Sequence, residues 1–428
     1  MVTVKTSKKK TISIIGLGRV GLPLLLYLEK KGFKLLGIDN NYEVVKSLKL
    51  KKMPFSEKGC DKLIKRTKAF FTTDIKILNK IYSDYIFVTV GTPLRDGIEV
   101  DLSSINKVLS EIIKIFRRGQ TLIMRSTVSP DTTEYIKNFI NKNTKFKVGK
   151  DIFLSYCPER IAENHALEEL ASLPQIIGVD DEKSFQSTKK IFQSFKVKIF
   201  KTNYLSAELV KLFNNNLRYI EFAIANQFAI LANNFGQNIF DIIEMCNFQY
   251  PRGRIFKPGL TGGTCLRKDF GMLNERNPNS DLFLAAWKIN EYMPYHLVNA
   301  TENKIKFKNK VVGVLGYTFK KNSDDLRESL VPKLVRQIEK KVPKKIIISD
   351  PRSKKRNLGN YVNSNYEWLI KNSDIIFIAI NHDNFSKKNL IKLAKKKSLF
   401  IDIWNHLKEN TFFYSKWKRL LSQEQVDL

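Results

Sequence analysis

The apolar and polar positions divide the chain into three stretches of different character. Residues 11–15, Thr-Ile-Ser-Ile-Ile, form a short β-branched apolar run, the pattern of a parallel strand buried on both faces. Residues 22–28 read as a helix and 34–38 as the next strand. Apolar runs recur at 84–90, 120–127, 151–155, 175–179 and 196–200, so alternating strands and helices are expected up to about residue 200. From Leu205 the pattern changes. Residues 207–235 contain neither Gly nor Pro, and Leu209, Leu212, Phe213, Leu217, Ile220 and Ile224 fall at helical spacing. A helix of roughly thirty residues is predicted, where about twelve is usual. Residues 238–247 and 282–306 also read as helices. A second α/β unit then opens at 310–316, with strands at 345–349, 374–380 and near 399–403.

The first strand runs straight into Gly16-Leu-Gly18-Arg19-Val20-Gly21. Gly16 permits the tight turn, Gly18 lets backbone approach a pyrophosphate, and Gly21 allows close helix–strand packing. The helix that follows offers unpaired N–H groups to phosphate. The next strand ends at Asp39, an acid that would accept hydrogen bonds from an adenosine ribose and repel a 2′-phosphate, so NAD is favoured over NADP. Thr92 and Thr127 follow strand C-termini, the ligand side of a doubly wound sheet. The fold class is therefore α/β: two Rossmann-like domains joined by a long central helix and a helical region. The boundaries are expected at 1–203, 204–300 and 301–428.

Candidate chemistry lies elsewhere in the chain. Gly259, Gly262 and Gly263 lead into Cys265, which is followed by Arg267, Lys268 and Asp269. A thiol beside cations is a candidate nucleophile, and the competing reading is a turn that happens to contain Cys. Glu159 and Glu163 lie just beyond a strand. They suit a base and a hydrogen-bond acceptor, or equally a surface charge paired with Arg160. Lys211 and Asn215, one helical turn apart, share a face of the long helix and could also be a solvated polar stripe.

Composition changes this picture little. The 428 residues contain four cysteines, with no CxxC pair, which argues against a zinc site or disulfide framework and for a reducing cytoplasm. No run is long and apolar enough to cross a membrane, and the first ten residues lack a signal-peptide core. The net charge of +32 could point to nucleic acid or an anionic surface, but the lysines are spread along the chain. Neither a nucleic-acid nor a membrane partner is expected. A non-catalytic basic nucleotide-binding protein is the alternative class, and it would need neither Cys265 nor Glu159.

A dinucleotide site together with a candidate nucleophilic thiol suggests an oxidation that passes through a thioester. The ordered motifs Gly16–Gly21, Val90–Pro93, Ser126–Thr133, Cys157–Glu163, Glu208–Asn215, Gly262–Asp269 and Phe319–Ser329 resemble those of the nucleotide-sugar 6-dehydrogenases. That family comprises UDP-glucose, GDP-mannose and UDP-N-acetylhexosamine dehydrogenases, and the resemblance spans nearly the whole chain. It implies that Cys265 carries a thiohemiacetal and then a thioester, while two NAD molecules each take a hydride. It implies Glu159 as the base that activates water, with Lys211, Asn215 and Asp269 managing the alcohol proton and the oxyanion. Arg19, Val20 and Glu163 join the cofactor set. Arg160, Lys268, Lys320, Lys321 and Arg327 join the substrate set, with Arg252 and Arg254 expected at the substrate across a homodimer formed through the long helix. Tyr156-Cys-Pro-Glu-Arg-Ile-Ala-Glu163 and Tyr250-Pro-Arg-Gly253 look most like the UDP-N-acetylhexosamine enzymes, UDP-N-acetylmannosamine or UDP-N-acetylglucosamine being the implied substrate and UDP-glucose the alternative. Three features depart from the family. Asp131 and Asn164 stand where Gly is usual, and Leu260-Thr261 replaces a more Gly-rich lead to the cysteine.

Overall fold

The computed structural model describes residues 9–92, 94–95, 99–274 and 280–417. Pro93, in the Val90–Pro93 motif, and the first eight residues lie outside them. The chain divides into two compact units. One comprises residues up to Asn214 and a segment beginning at Lys268; the other comprises Asn215–Arg267 and the remaining C-terminal part.

The first unit is built on an eight-stranded sheet. Its strands are β1 (Thr11–Ile15), β2 (Lys34–Ile38), β3 (Phe70–Thr72), β4 (Tyr85–Val88), β7 (Thr121–Met124), β8 (Phe153–Tyr156), β9 (Gln175–Gly178) and β10 (Ile199–Thr202). The short pair β5 (Leu94–Arg95) and β6 (Glu99–Val100) forms a separate hairpin between β4 and β7. The order is β10-β9-β8-β7-β4-β1-β2-β3. Strands β3 through β8 run parallel, and β9, paired in parallel with β10, meets β8 antiparallel at Tyr156 and Gly178. The direction of winding reverses between β1 and β4, so the loops after these strands open the crevice where such sheets bind ligands. Ile12 and Ile14 pack into one apolar layer and Ile15 into the other, so β1 is buried on both faces.

The second unit carries a five-stranded sheet of β11 (Val311–Leu315), β12 (Lys345–Ser349), β15 (Ile375–Ile378), β16 (Leu399–Ile401) and β17 (Phe413–Ser415), in the order β12-β11-β15-β16-β17. Strands β13 (Asn357–Leu358) and β14 (Tyr361–Val362) form a small antiparallel pair. The first four sheet strands are parallel, and β17 runs antiparallel along β16. The helices Ile239–Asn247 and Asp281–Lys304 share an apolar layer with Val312 and Val314 on one face of this sheet.

The predicted long helix is Tyr204–Asn234, 31 residues. It begins in the first unit and ends in the second, as does the helix Thr264–Asn274 in the reverse direction. Two boundaries differ from the sequence reading. The strand expected at 196–200 starts at Ile199, because Lys196 adopts a left-handed conformation, φ 61°, that closes the preceding turn. Cys265 lies in the first turn of a helix, where a loop was expected.

Candidate active site

The glycine-rich loop is shaped as its sequence predicts. Gly16 has φ 96°, and a Cβ there would sit 2.9 Å from the Thr89 backbone. A Cβ on Gly21 would lie 1.9 Å from the Gly16 carbonyl oxygen, so strand and helix approach too closely for any side chain. Gly18 is different: a Cβ there would meet nothing within 4 Å. The protein's own packing does not demand glycine at this position, and the open space is what a bound pyrophosphate would use. Val20 is the residue before the helix Gly21–Lys30, whose N-terminus faces the loop. Asp39 Oδ2 accepts from the Leu17 N–H at 2.6 Å and Oδ1 from the Asn41 N–H at 2.9 Å. The carboxylate thus holds the loop and keeps lone pairs for ribose hydroxyls. These residues fit a dinucleotide.

Other first-unit candidates pair with one another or are buried. Arg19 lies 3.5 Å from Glu163 and over the Phe55 ring, so two expected cofactor residues meet across loops. Lys268 Nζ donates to Thr92 Oγ1 at 2.9 Å, and Thr92 Oγ1 donates to the Thr127 carbonyl at 2.7 Å. Lys211 is buried and, among the described residues, makes no ion pair. Asp269 is fully buried. Burial first, then the charges of Glu208 and Asp269, push the Tyr156 hydroxyl well above its ordinary pKa and keep it neutral.

Glu159 is not a surface charge paired with Arg160. It is buried, and its partner is Arg125, with Nη2 at 2.6 Å and Nε at 2.8 Å from Oε2. Arg160 contributes only its backbone N–H, and its guanidinium donates to the Pro174 carbonyl at 2.6 Å. Arg125 stands inside an apolar strand run, where periodicity alone gives it no role. An arginine in such a run requires a buried acid, and that was the available signal.

The two departures from glycine have a common cause. Asp131 has φ 67° and Asn164 φ 69°, the left-handed region that Asp and Asn tolerate best after glycine. Each is held by a buried glutamate. Glu208 accepts from the Asp131 and Thr133 N–H groups at 2.9 and 2.8 Å, and Glu57 from those of Asn164 and Ala166 at 3.0 and 3.1 Å.

In the second unit, Cys265 is exposed at the second position of the helix Thr264–Asn274, the positive end of its dipole. Its lead is anchored on the loop after β11. Gly263 has φ 101° and donates its N–H to the Glu328 carbonyl at 2.8 Å, and a Cβ on it would strike the Phe319 ring. Arg267, expected beside the thiol, is instead paired with Glu291 at 2.9 Å and with Glu328. Leu260 and Thr261 are buried, and the Gly259 N–H donates to the buried Asn226 side chain at 2.9 Å. The same loop carries Lys320 over Phe319, Lys321 paired with Asp383 at 2.6 Å, and exposed Arg327 paired with Asp325 at 2.7 Å. Arg252 and Arg254 are exposed beside Tyr250 and Phe256. Asn215 is buried in the long helix one turn after Lys211, as Asp269 follows Cys265. Among the described residues no His, Cys, Asp and Glu cluster could hold a metal.

Three family models match in order. They are the NAD-binding domain of the UDP-glucose/GDP-mannose dehydrogenase family over residues 10–196, its central domain over 205–292 and its UDP-binding domain over 313–409. The chain is 31% identical to the UDP-N-acetyl-D-mannosamine dehydrogenase of Pyrococcus horikoshii, over 93% of this chain and 96% of that one. It is 33% identical to the enzyme of that name from Methanocaldococcus jannaschii, over 90% of each. The solved UDP-N-acetyl-mannosamine dehydrogenase of Staphylococcus aureus superposes with a TM-score of 0.83 at 27% identity, over 96% of this chain and 99% of that one.

Proposed function

Since the chain belongs to the UDP-glucose/GDP-mannose dehydrogenase family and is an NAD-dependent nucleotide-sugar dehydrogenase, we propose that it oxidises C6 of a UDP-N-acetylhexosamine, foremost UDP-N-acetyl-D-mannosamine, to the uronate. The observation that carries this reading is Cys265, an exposed thiol in the first turn of a helix, on a glycine lead anchored to the loop that bears Lys320, Lys321 and Arg327.

NAD, held by Gly16–Gly21, Asp39, Thr92 and Thr127, supplies hydride acceptance when bound. The protein's own groups do the rest. Lys211, with Asn215 and Asp269, takes the proton of the C6 hydroxyl as its hydride leaves. Cys265 Sγ then bonds to C6 of the aldehyde, and the oxyanion that forms is stabilised by the same cation and amide. Loss of a second hydride from C6 leaves a thioester. Glu159 removes a proton from water as its oxygen bonds to C6, and the C6–S bond breaks with its electron pair staying on sulfur, which releases Cys265 as the thiolate. Two hydrides leave each sugar. Lys268, Lys320, Lys321, Arg327 and Arg160 are assigned to the nucleotide sugar.

Residues 1–203, 204–300 and 301–428 are read as NAD-binding, central and UDP-binding segments. The free thiols of all four cysteines support a reducing cytoplasm as the compartment. No helix among the described residues is long and apolar enough to cross a membrane. Ile224, Phe228 and Leu231 are exposed at helical spacing on the long helix, which supports a homodimer through that face, with Arg252 and Arg254 serving the partner's substrate.

The test is the NADH formed per sugar consumed, with UDP-N-acetyl-D-mannosamine, UDP-N-acetylglucosamine and UDP-glucose offered separately. Two NADH per UDP-N-acetyl-D-mannosamine is expected. One NADH with free aldehyde would remove the thioester from the scheme, and turnover of UDP-glucose alone would overturn the sugar assignment.

A further inference from the structure

Arg125 is 2% exposed, a cation taken almost wholly out of water. Such burial is tolerated where the charge is paired and hydrogen-bonded, and here each of the three nitrogens has a partner. Nε and Nη2 donate to Glu159 Oε2 at 2.8 and 2.6 Å, Nη2 also reaches Gln175 Oε1 at 3.2 Å, and Nη1 reaches the Cys157 carbonyl at 3.4 Å. The face of the guanidinium lies 5.4 Å from the centre of the Phe192 ring. The cation is therefore fixed by the ends of β7, β8 and β9 and by the helix Glu182–Phe192.

A carboxylate offers about four lone-pair sites. On Glu159 two are filled at Oε2 by the guanidinium, and two at Oε1 by the backbone N–H groups of Arg160 and Ile161, at 2.8 and 3.1 Å. The Oε2 side is closed by a charged, immobile fork. Both Oε1 bonds come from uncharged donors and the one from Ile161 is the longest of the four, so Oε1 is the oxygen that can exchange an N–H for a water.

We propose that Arg125 is a positioning residue for thioester hydrolysis: it clamps Glu159 through Oε2 and leaves Oε1 as the atom that takes the proton from water. The proposal rests on the reading of Glu159 as the water-activating base. Lysine cannot replace the fork, because an ammonium is a point charge without paired coplanar donors.

The experiment compares the wild-type enzyme with Arg125→Lys, Glu159→Gln and the double variant, using NAD and UDP-N-acetyl-D-mannosamine. Stopped-flow NADH bursts report the two oxidations, steady-state turnover reports hydrolysis, and intact mass reports acyl-Cys265. Arg125→Lys is expected to keep the burst and the KM for sugar, to lose at least tenfold in kcat, and to accumulate acyl-Cys265. The double variant is expected to be no slower than Glu159→Gln. Gln175→Leu, which frees one donor and keeps the ion pair, should show a smaller loss of the same kind, and it carries the test if Arg125→Lys does not fold. Burst and turnover slowing together, or a double variant slower by the product of the singles, would overturn the proposal and make Arg125 a strut of the unit. A slow Glu159→Gln beside normal Arg125→Lys defeats the clamp alone. Wild-type hydrolysis in Glu159→Gln defeats the reading of the base, and the clamp with it.

Discussion

Two positions of one loop are glycine for opposite physical reasons, and substitution separates them. Gly21→Ala places a methyl 1.9 Å from a carbonyl oxygen and is expected to abolish the soluble fold. Gly18→Ala meets no protein atom, so the variant should melt with the wild type and lose affinity for NAD at least tenfold, measured by calorimetric titration. The four thiols divide in the same way. Burial pushes Cys60 and Cys157 up to about 12, so both remain protonated, whereas Cys246 and Cys265 are exposed. Iodoacetamide at pH 8 should modify Cys246 and Cys265 alone, with activity lost in step with Cys265, as peptide mapping would reveal.

At the level of elements, buried acids act as clasps between segments far apart in the chain. Glu208, on the long helix, accepts from two N–H groups and the hydroxyl of Thr133 at the start of the helix Thr132–Asn143. Glu208→Gln sets an amide donor against donors, and a loss of about 1–3 kcal/mol in urea unfolding is expected. Asp350, at the end of β12, accepts the Tyr317 and Thr318 N–H groups at 2.6 and 2.9 Å and lies 3.2 Å from His382 Nε2. His382 Nδ1 accepts from the Asn322 N–H at 2.9 Å, so the proton sits on Nε2 and is directed at Asp350 and Thr318. Burial alone would raise the Asp350 pKa. The His382 hydrogen bond and the two N–H groups outweigh it, and the value lies below the ordinary one. A depressed carboxyl stabilises the fold above its unfolded value and ceases to do so as pH falls through its folded value. The gap in melting temperature between the wild type and Asp350→Asn should therefore be full at pH 7 and shrink below about pH 4, the ordinary carboxyl range.

At the scale of the molecule, the long helix leaves large apolar side chains in water. Phe228 is 40% and Leu231 42% exposed, a cost that a second copy would offset by covering them. Phe228→Glu with Leu231→Glu is expected to convert a dimer to a monomer in sedimentation equilibrium. If Arg252 and Arg254 serve the partner's substrate, the same variant should raise the KM for sugar. A wild-type monomer that is fully active would refute the dimer.

The alternation of strands and helices, the long helix and the shape of the glycine loop were legible in the chain itself. Each depends on local periodicity or on spacing within a few residues, and neighbours along the backbone impose those directly. What was not legible depends on groups that only folding brings together. Glu159 could be assigned to Arg160, one position away, yet its counter-charge is Arg125, supplied by the neighbouring strand. Arg267 looked like a cation for the thiol, yet Glu291 and Glu328 hold it. Asp131 and Asn164 looked like departures, and the backbone shows them standing in for glycine at positive φ. Sequence alone determined the α/β alternation and the long helix, because secondary structure is written in short-range pattern. Tertiary structure alone decided which charges pair, because in a low-dielectric interior a partner is chosen by proximity in space.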